Sequence, residues 1–357
     1  MSPITVIVLV FCLIGAVDKI LGNKFGLGQE FEKGFALFVP MAFSMLGVLV
    51  IAPAVGVWLM PAFEKFYQVF GIDPSIIPAS LFANDMGGYT VARAICKSEA
   101  IGAYNALVIS SMMGAVISFT IPFSLSMVKV EQHKDLFFGL LCGIITIPVG
   151  SFVAGLMCGI GAGELLLNLL PLLILSVIVA LGIIFVPKIC IRIFMIFGKF
   201  MQIVAIVGLL FAIFTFLTGI QINPYFDTLQ NASFICVNAS VTLSGMLVLM
   251  RLVTGFLQKP MERLGKKVGL DHISAVTFLS NMVTNALTFG AMDKMNRKGV
   301  VLNSAFAVSA AFMLGGHLAF TMAFDSTYIA PVLVGKFISG VCAIALAAVL
   351  FKEKTEQ

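Results

Sequence analysis

Residues 74–96 read PSIIPASLFANDMGGYTVARAIC, an apolar segment that is interrupted near its middle by Asn84, Asp85 and a pair of glycines. A second segment, 272–292, reads HISAVTFLSNMVTNALTFGAM and is interrupted in the same way by amides and a threonine. Both segments are long enough to cross a bilayer, but polar and flexible residues at that depth are unusual. Whether the two segments cross the membrane, or dip into it and return, decides the fold.

The two segments belong to stretches that resemble each other. Four residues around the first segment recur around the second, and three residues of the following helix recur as well, at offsets of 197 to 201 residues. The pairs are Pro61 and Pro260, Gly71 and Gly269, Asp73 and Asp271, Asn84 and Asn281, Gly114 and Gly315, Phe119 and Phe320, and Thr120 and Thr321. A duplicated apolar chain of this kind is typical of transporters built from structural repeats.

Composition places the chain in a membrane. Of its 357 residues, 60% are hydrophobic and 11% are charged, whereas a soluble domain carries about 25% charged residues. The lipid bilayer is therefore the expected surrounding. The net charge of +5 does not indicate a nucleic-acid partner, because excess Lys and Arg in a membrane protein mark the cytoplasmic face. The seven cysteines, an odd number without paired spacing, are expected to be buried thiols rather than disulfides or metal ligands.

Hydropathy predicts nine ordinary membrane-spanning helices besides the two interrupted segments. They are 3–22, 34–60, 101–127, 136–159, 164–186, 200–220, 233–257, 300–323 and 329–351. The first has no basic start and no cleavage site, so we expect a retained helix rather than a signal peptide. If all eleven segments crossed with the C-terminus inside, the basic residues of the connections would split 10 inside to 11 outside. If the two interrupted segments are re-entrant, the split becomes 18 to 3, which the positive-inside rule favours.

The predicted fold is all-α and integral to the membrane, with about nine transmembrane helices, two re-entrant hairpins and inverted-topology repeats. We assign residues 1–163 to the first repeat with a hairpin at about 74–96, residues 164–186 to a linking transmembrane helix, and residues 187–357 to the second repeat with a hairpin at about 272–292. Because five crossings separate the repeats, the hairpins enter from opposite sides. Each arm of about eleven residues reaches ~16 Å, near the middle of a ~30 Å hydrocarbon core. Transporters with inverted repeats place their substrate at this depth.

Asp85 is the one acidic residue at the centre of an apolar segment, where a carboxylate costs about 3 kcal/mol or more unless it is paired or hydrated. We expect it to contact a substrate or an ion, with a structural hydrogen bond as the alternative. The other candidate substrate-binding residues are amides, hydroxyls and an imidazole on the hairpins and the helices that follow them: Asn84, Asn281, Asn285, Asn105, Ser110, Asn303, Ser309 and His317. For these the alternatives are helix caps, helix packing and a hydrogen-bonded packing histidine.

Three further positions concern the backbone. Gly87 and Gly88 permit a sharp turn and close approach, Pro148 opens or kinks a helix, and Gly315 lies in a small-residue stretch suited to helix packing. Lys336 lies inside a predicted span, and we expect it to snorkel or to pair with Asp325. The chain shows no nucleotide-binding loop, no zinc-protease motif and no metal-ligand spacing, so neither an enzyme nor a cofactor nor a metal is expected.

Three stretches carry a resemblance to a known family. Asp85-Met86-Gly87-Gly88, Ile145-Thr146-Ile147-Pro148-Val149-Gly150 and 303–320 (NSAFAVSAAFMLGGHLAF) resemble the ethanolamine-utilization permease family, the EutH type, and the resemblance runs over nearly the whole chain. It implies an inner-membrane carrier or facilitator that brings ethanolamine into bacteria that catabolise it. Some members have an acidic residue where this chain has Gly316, so no second acid is expected in the site. Ethanolamine fits the residues independently, since a carboxylate would hold its ammonium and amides or hydroxyls its hydroxyl group.

The sequence therefore predicts a multi-pass permease of the bacterial cytoplasmic membrane, with a cytoplasmic C-terminus, that imports protonated ethanolamine by alternating access. Two alternatives stay open: a channel-like facilitator for the neutral amine, and a membrane-embedded sensor or scaffold. No ring of pore residues supports the first, and no cytoplasmic output domain supports the second. Energy coupling cannot be read from the sequence, and a homo-oligomer is expected only by analogy with elevator-like carriers, which need a fixed scaffold.

Overall fold

The computed structural model describes residues 3–351, and within that range every regular element is a helix. In chain order the helices are α1 (Pro3–Ile20), α2 (Leu27–Phe70), α3 (Ile76–Leu81), α4 (Tyr89–Ile95), α5 (Glu99–Met127), α6 (His133–Met157), α7 (Ala162–Phe185), α8 (Pro187–Thr218), α9 (Leu229–Lys267), α10 (His272–Val283), α11 (Asn285–Gly290), α12 (Arg297–Ala310), α13 (Gly316–Phe324) and α14 (Ile329–Leu350). Eight of these described helices, α1, α2, α5 to α9 and α14, are long and apolar enough to cross a membrane. The C-terminal lysines Lys352 and Lys354, which the charge count includes, lie outside the described residues.

The prediction of one unbroken spanning helix over 300–323 is wrong. Helix α12 ends at Ala310 and α13 begins at Gly316, so this segment is discontinuous. Phe312 lies between them with a φ of 60°, in the left-handed region that non-glycine residues rarely adopt. The unwound backbone is not left without partners, since the amide of Phe312 donates to the carbonyl of Asn281 and that of Leu314 to the carbonyl of Met282. These bonds satisfy backbone groups that would otherwise be costly to bury.

Helices α2 and α5 each contain π-helical turns. In α2 they occupy Ala42–Leu46, and in α5 they occupy Asn105–Gly114 and Val116–Thr120. Both helices contact the chain between α3 and α4 through these stretches. Because π-helical turns are rare and concentrate at functional sites, they direct attention to the first interrupted segment.

The first interrupted segment folds back on itself. Helices α3 and α4 are separated by a turn in which Met86 and Gly87 have non-helical backbone angles, Gly87 with a φ of 85°. The carboxylate of Asp73, just before α3, accepts hydrogen bonds of 2.9 Å from the amides of Lys97 and Ser98, just after α4. The two ends of the segment therefore lie side by side.

The second interrupted segment folds back in the same manner. Thr284, between α10 and α11, is extended, and the hydroxyl of Thr288 donates to the carbonyl of Thr277 at 3.2 Å. In a continuous helix these residues would be about 16 Å apart. At the base, the carboxylate of Asp271 caps α10 and accepts from the amide of Asn296 at 2.7 Å. Asp271 thus occupies the place in the second segment that Asp73 occupies in the first.

A close backbone approach also recurs in both copies. A Cβ placed on Gly114 of α5 would lie 2.1 Å from the carbonyl oxygen of Phe82, and one placed on Gly315 would lie 2.1 Å from the carbonyl oxygen of Val283. No side chain fits at such a distance. The glycines are equivalent in the sequence alignment of the two segments, and each lets the chain that follows an interrupted segment touch the backbone at that segment's tip.

Candidate functional site

A cavity of about 260 Å³ lies where the tips of the two interrupted segments approach each other. The first segment contributes Asp85 and its neighbours, and the second contributes Val283 and Thr284. The remaining wall comes from α2, α5, α9, the unwound stretch at Phe312 and the start of α13. Its polar side chains are few, as is usual for small-molecule sites, in which a small number of polar groups fix the ligand's orientation.

One carboxylate oxygen of Asp85 has no hydrogen-bond partner in the described part of the chain. Its backbone amide donates to the side-chain oxygen of Asn84 at 3.0 Å, but its Oδ1 is buried and has no hydrogen-bond partner among residues 3–351. Leaving a buried acceptor unpaired is costly, more so for a charged group. A ligand that brings a cationic donor would remove this cost.

His317 faces the same cavity from the first turn of α13. Its Nδ1 lies 3.1 Å from Nζ of Lys336, and that Nζ donates to the carbonyl of Ser111 at 2.6 Å. Lys336 is 1% exposed, so the expectation that it snorkels to the surface is wrong. Its expected pairing with Asp325 is also wrong, since Asp325 instead accepts from Thr327. Sequence reasoning did not place Lys336 in the site, although this lysine lies inside the predicted span 329–351.

Several predicted site residues lie at the tips with buried, unpartnered polar atoms. Asn285 has no hydrogen-bond partner within the described chain for either side-chain atom. The same holds for one side-chain atom each of Asn84, Asn281 and Ser309. All four residues are fully buried, and none of them contributes to the wall of the Asp85 cavity.

Three other predicted residues use their polar groups inside the protein. Asn105 bonds to Ser75 at 2.9 Å and to Asn168, while Asn303 donates to the carbonyls of Ser274 and Gly299. Each asparagine joins the helix after an interrupted segment to the start of that segment. Ser110 donates to the carbonyl of Ala106. None of the three lines the Asp85 cavity.

The predicted backbone positions differ in their surroundings. Gly87 has the positive φ described above, and a Cβ on Gly88 would lie 2.2 Å from the carbonyl oxygen of Phe82. Gly315 makes the close approach to Val283. Pro148, in contrast, lies within α6, which continues through it without a break.

Aromatic side chains close the cavity on one side. The rings of Phe119 and Phe312 meet edge to face with centroids 5.7 Å apart, and the Phe312 ring packs 5.1 Å from the imidazole of His317. Both phenylalanines line the cavity. Aromatic faces attract cations, so this wall is compatible with an amine as well as with the carbon atoms between its polar ends.

Two larger clefts, each of about 590 Å³, flank the cavity. The first shares Leu37, Leu247, Val283 and Thr284 with the cavity wall, so these four side chains form the partition between them. The charged residues of the first cleft are Lys33, Arg251 and Glu30, and those of the second are Arg192 and Lys199.

A helical chain with eight described helices that are long and apolar enough to cross a membrane, and with an acidic side chain in a cavity, has the features of a multi-pass membrane permease. Comparison with known proteins gives the family. The family described as "Ethanolamine utilisation protein, EutH" matches residues 2–350, and the chain belongs to it.

Curated relatives cover nearly the whole chain. A "Probable ethanolamine permease EutH" of Listeria monocytogenes is 36% identical over 340 residues, which are 95% of this chain and 91% of the relative. The protein of the same name from Salmonella typhimurium is 34% identical and covers 96% of this chain and 94% of its own length. An "Uncharacterized protein YxeR" of Bacillus subtilis is 34% identical, with 97% and 94% covered. No solved structure matches the chain.

Proposed function

We propose that this protein imports ethanolamine across the bacterial cytoplasmic membrane by alternating access, with Asp85 as the group that binds the ammonium. The observation that carries the proposal is the unpartnered carboxylate in a cavity between two interrupted segments. Membership of the family, and relatives named probable ethanolamine permeases, supply the substrate.

The proposal includes two re-entrant hairpins, α3–α4 and α10–α11. Contacts between connections support it. Asp135, in the first turn of α6, forms a two-pronged ion pair with Arg297, both bonds at 2.9 Å. If all eleven sequence segments crossed the membrane, five crossings would separate these two residues and place them on opposite sides.

Two further contacts agree with the same arrangement. Lys97 pairs with Glu64 across the first interrupted segment, and Asn296 bonds to Asp271 across the second. A single crossing would separate each pair if the segments spanned the bilayer. If both segments are re-entrant, the two residues of each contact lie on the same side of the membrane. The two repeats then become inverted relative to each other.

Substrate would lie between Asp85 and the facing wall. Its ammonium pairs with the carboxylate, a charge-assisted bond stronger than a neutral one. The two carbon atoms lie against Phe119 and Phe312, and the hydroxyl group reaches toward Thr284 or His317 on the opposite wall. Because the cavity exceeds the volume of so small a molecule, water shares the site and completes its hydrogen bonds.

The flanking clefts indicate the direction in which this conformation opens. Both carry lysine or arginine that the positive-inside rule assigns to the cytoplasm. The partition at Val283 and Thr284 belongs to the tip of the second hairpin, so a movement of this tip would open or close the inner path. We infer an inward-facing conformation in which the two hairpins move together against the remaining helices.

Counterflow in proteoliposomes tests the proposal. Vesicles loaded with unlabelled ethanolamine should accumulate labelled ethanolamine transiently above equilibrium, because a carrier exchanges one substrate for another. Flux that does not saturate, without counterflow, would instead establish the channel-like facilitator. Binding without any flux would establish the sensor or scaffold, and either result would overturn the proposal.

A further inference from the structure

Lys336 holds His317 in a defined orientation at the cavity. Its side chain is buried, and its Nζ contacts two groups, the carbonyl oxygen of Ser111 at 2.6 Å and Nδ1 of His317 at 3.1 Å. A carbonyl only accepts hydrogen bonds, and a lysine ammonium only donates them. We take Lys336 as an ammonium, whose Nζ donates to both partners. Nδ1 of His317 must therefore accept.

A neutral imidazole that accepts at Nδ1 carries its hydrogen on Nε2. A second positive charge on the ring is unfavourable so close to the ammonium. The ring lies 5.1 Å from that of Phe312, centroid to centroid. Within residues 3–351 its hydrogen-bond contact is at Nδ1, and none is formed at Nε2. His317 therefore offers one N–H donor to whatever occupies the cavity.

We propose that Nε2 of His317 donates to the oxygen of the substrate's hydroxyl group while Asp85 binds its ammonium, and that Lys336 is the positioning residue that fixes the imidazole for this task. This inference rests on the proposed function and deepens it. Asp85 alone attracts any small amine, whereas a donor on the facing wall selects an amine that carries an oxygen acceptor. Lys336 does not touch the substrate in this arrangement.

The proposed site selects amines that carry an oxygen able to accept a hydrogen bond, because His317 supplies the donor. 2-Methoxyethylamine keeps an acceptor oxygen two carbon atoms from nitrogen and should compete well with ethanolamine. Ethylamine lacks the oxygen and leaves the N–H of His317 unpaired, and a buried group left unpaired weakens binding strongly. We expect ethylamine to compete at least about tenfold less well than 2-methoxyethylamine.

Competition against labelled ethanolamine uptake in proteoliposomes measures this selectivity. In Lys336→Met the imidazole is no longer held, and the ratio between the two competitors should fall toward one. In Lys336→Arg a donor to Nδ1 remains, and the ratio should recover. Reduced folding changes the amount of active protein and not this ratio, so a structural defect alone does not mimic the result. Equal competition by the two amines in the wild-type protein would overturn the inference.

A second measurement needs no variant of Lys336. The chain has three histidines, so ¹⁵N resonances of histidine-labelled protein in detergent can be assigned with His317→Gln. The inference requires the Nε2–H form at His317, and the Nδ1–H form would overturn it. The proposed function can fail separately, since absence of ethanolamine counterflow alongside the Nε2–H form would remove the transport proposal and leave the Lys336–His317 geometry intact.

Discussion

Replacing Asp85 by asparagine removes the charge of the site while nearly preserving its shape. Within residues 3–351 one buried oxygen of the carboxylate has no hydrogen-bond partner, so the ammonium of the substrate is its expected counter-charge. Hydrogen bonds to charged groups contribute about 1.5–3 kcal/mol, which corresponds to a loss in affinity of about 10- to 150-fold. The loss should appear as a higher half-saturation concentration for uptake, because the shape of the cavity is otherwise unchanged.

The assay is uptake of labelled ethanolamine into proteoliposomes over a range of substrate concentrations. Asp293→Asn provides the matched control, since Asp293 forms an exposed ion pair with Lys129 at 3.2 Å and lies outside the cavity. Exposed ion pairs contribute little, so the control should retain wild-type half-saturation. Asp85→Glu keeps the charge on a longer side chain and should lose less affinity than Asp85→Asn. Wild-type half-saturation in Asp85→Asn would refute the role of this carboxylate.

Three further changes follow from particular contacts. Gly315→Ala forces a Cβ to within 2.1 Å of the carbonyl of Val283, so we expect a loss of about 1–3 kcal/mol in stability, seen as a lower melting temperature in detergent. Gly316 lines the cavity and has open space around its missing Cβ; Gly316→Leu should therefore fold normally and block ethanolamine uptake. Asp271→Asn should lower the melting temperature at neutral pH because the hydrogen bond to the amide of Asn296 is weakened. Burial opposes ionisation of Asp271, but the amide of Asn296 outweighs it with help from Ser274, and the pKa of this carboxyl is lowered. The carboxylate therefore stabilises the fold above the ordinary pKa of an aspartate. Its advantage over asparagine should begin to fall below about pH 4 and vanish as the pH passes the lowered pKa of Asp271.

Each of these three results has an outcome that contradicts its reasoning. An unchanged melting temperature in Gly315→Ala would mean that the backbones are not in contact. Wild-type uptake in Gly316→Leu would mean that substrate does not use this cavity. A difference between Asp271→Asn and wild type that persists in acid would show that the carboxylate acts through something other than its charge.

Much of the fold could be predicted because hydropathy and local flexibility are visible in the side chains. The interruptions at Asn84 and Thr284 stand out against apolar surroundings, and the structure does turn the chain there. The break between α12 and α13 was not predictable in this way, since Ala311, Phe312 and their neighbours are as apolar as the helices on either side. Its cause is the pairing of its backbone amides with carbonyls of α10, which no side chain reveals.

The candidate site, like the fold, could be predicted only in part. Asp85 stood out because it is charged at the centre of an apolar segment, and the structure places it in the cavity. Asn105 and Asn303 looked similar in the sequence, yet their amides bond to neighbouring helices. Hydropathy alone cannot distinguish a polar group that is available to bind a ligand from one that is hydrogen-bonded within the protein. Lys336 was misjudged for the same reason, because its partners are a carbonyl and an imidazole far away in sequence.

The central claim is that the two interrupted segments enter the membrane from opposite sides and meet at Asp85. Single cysteines at Glu64, Lys97, Lys267 and Lys298, each introduced into a transport-competent variant that lacks the native cysteines, test it by labelling with membrane-impermeant reagents on sealed cells and on inverted vesicles. Our account predicts that positions 64 and 97 react from the outside and that positions 267 and 298 react from the cytoplasm. Labelling of either pair from two different compartments would contradict it.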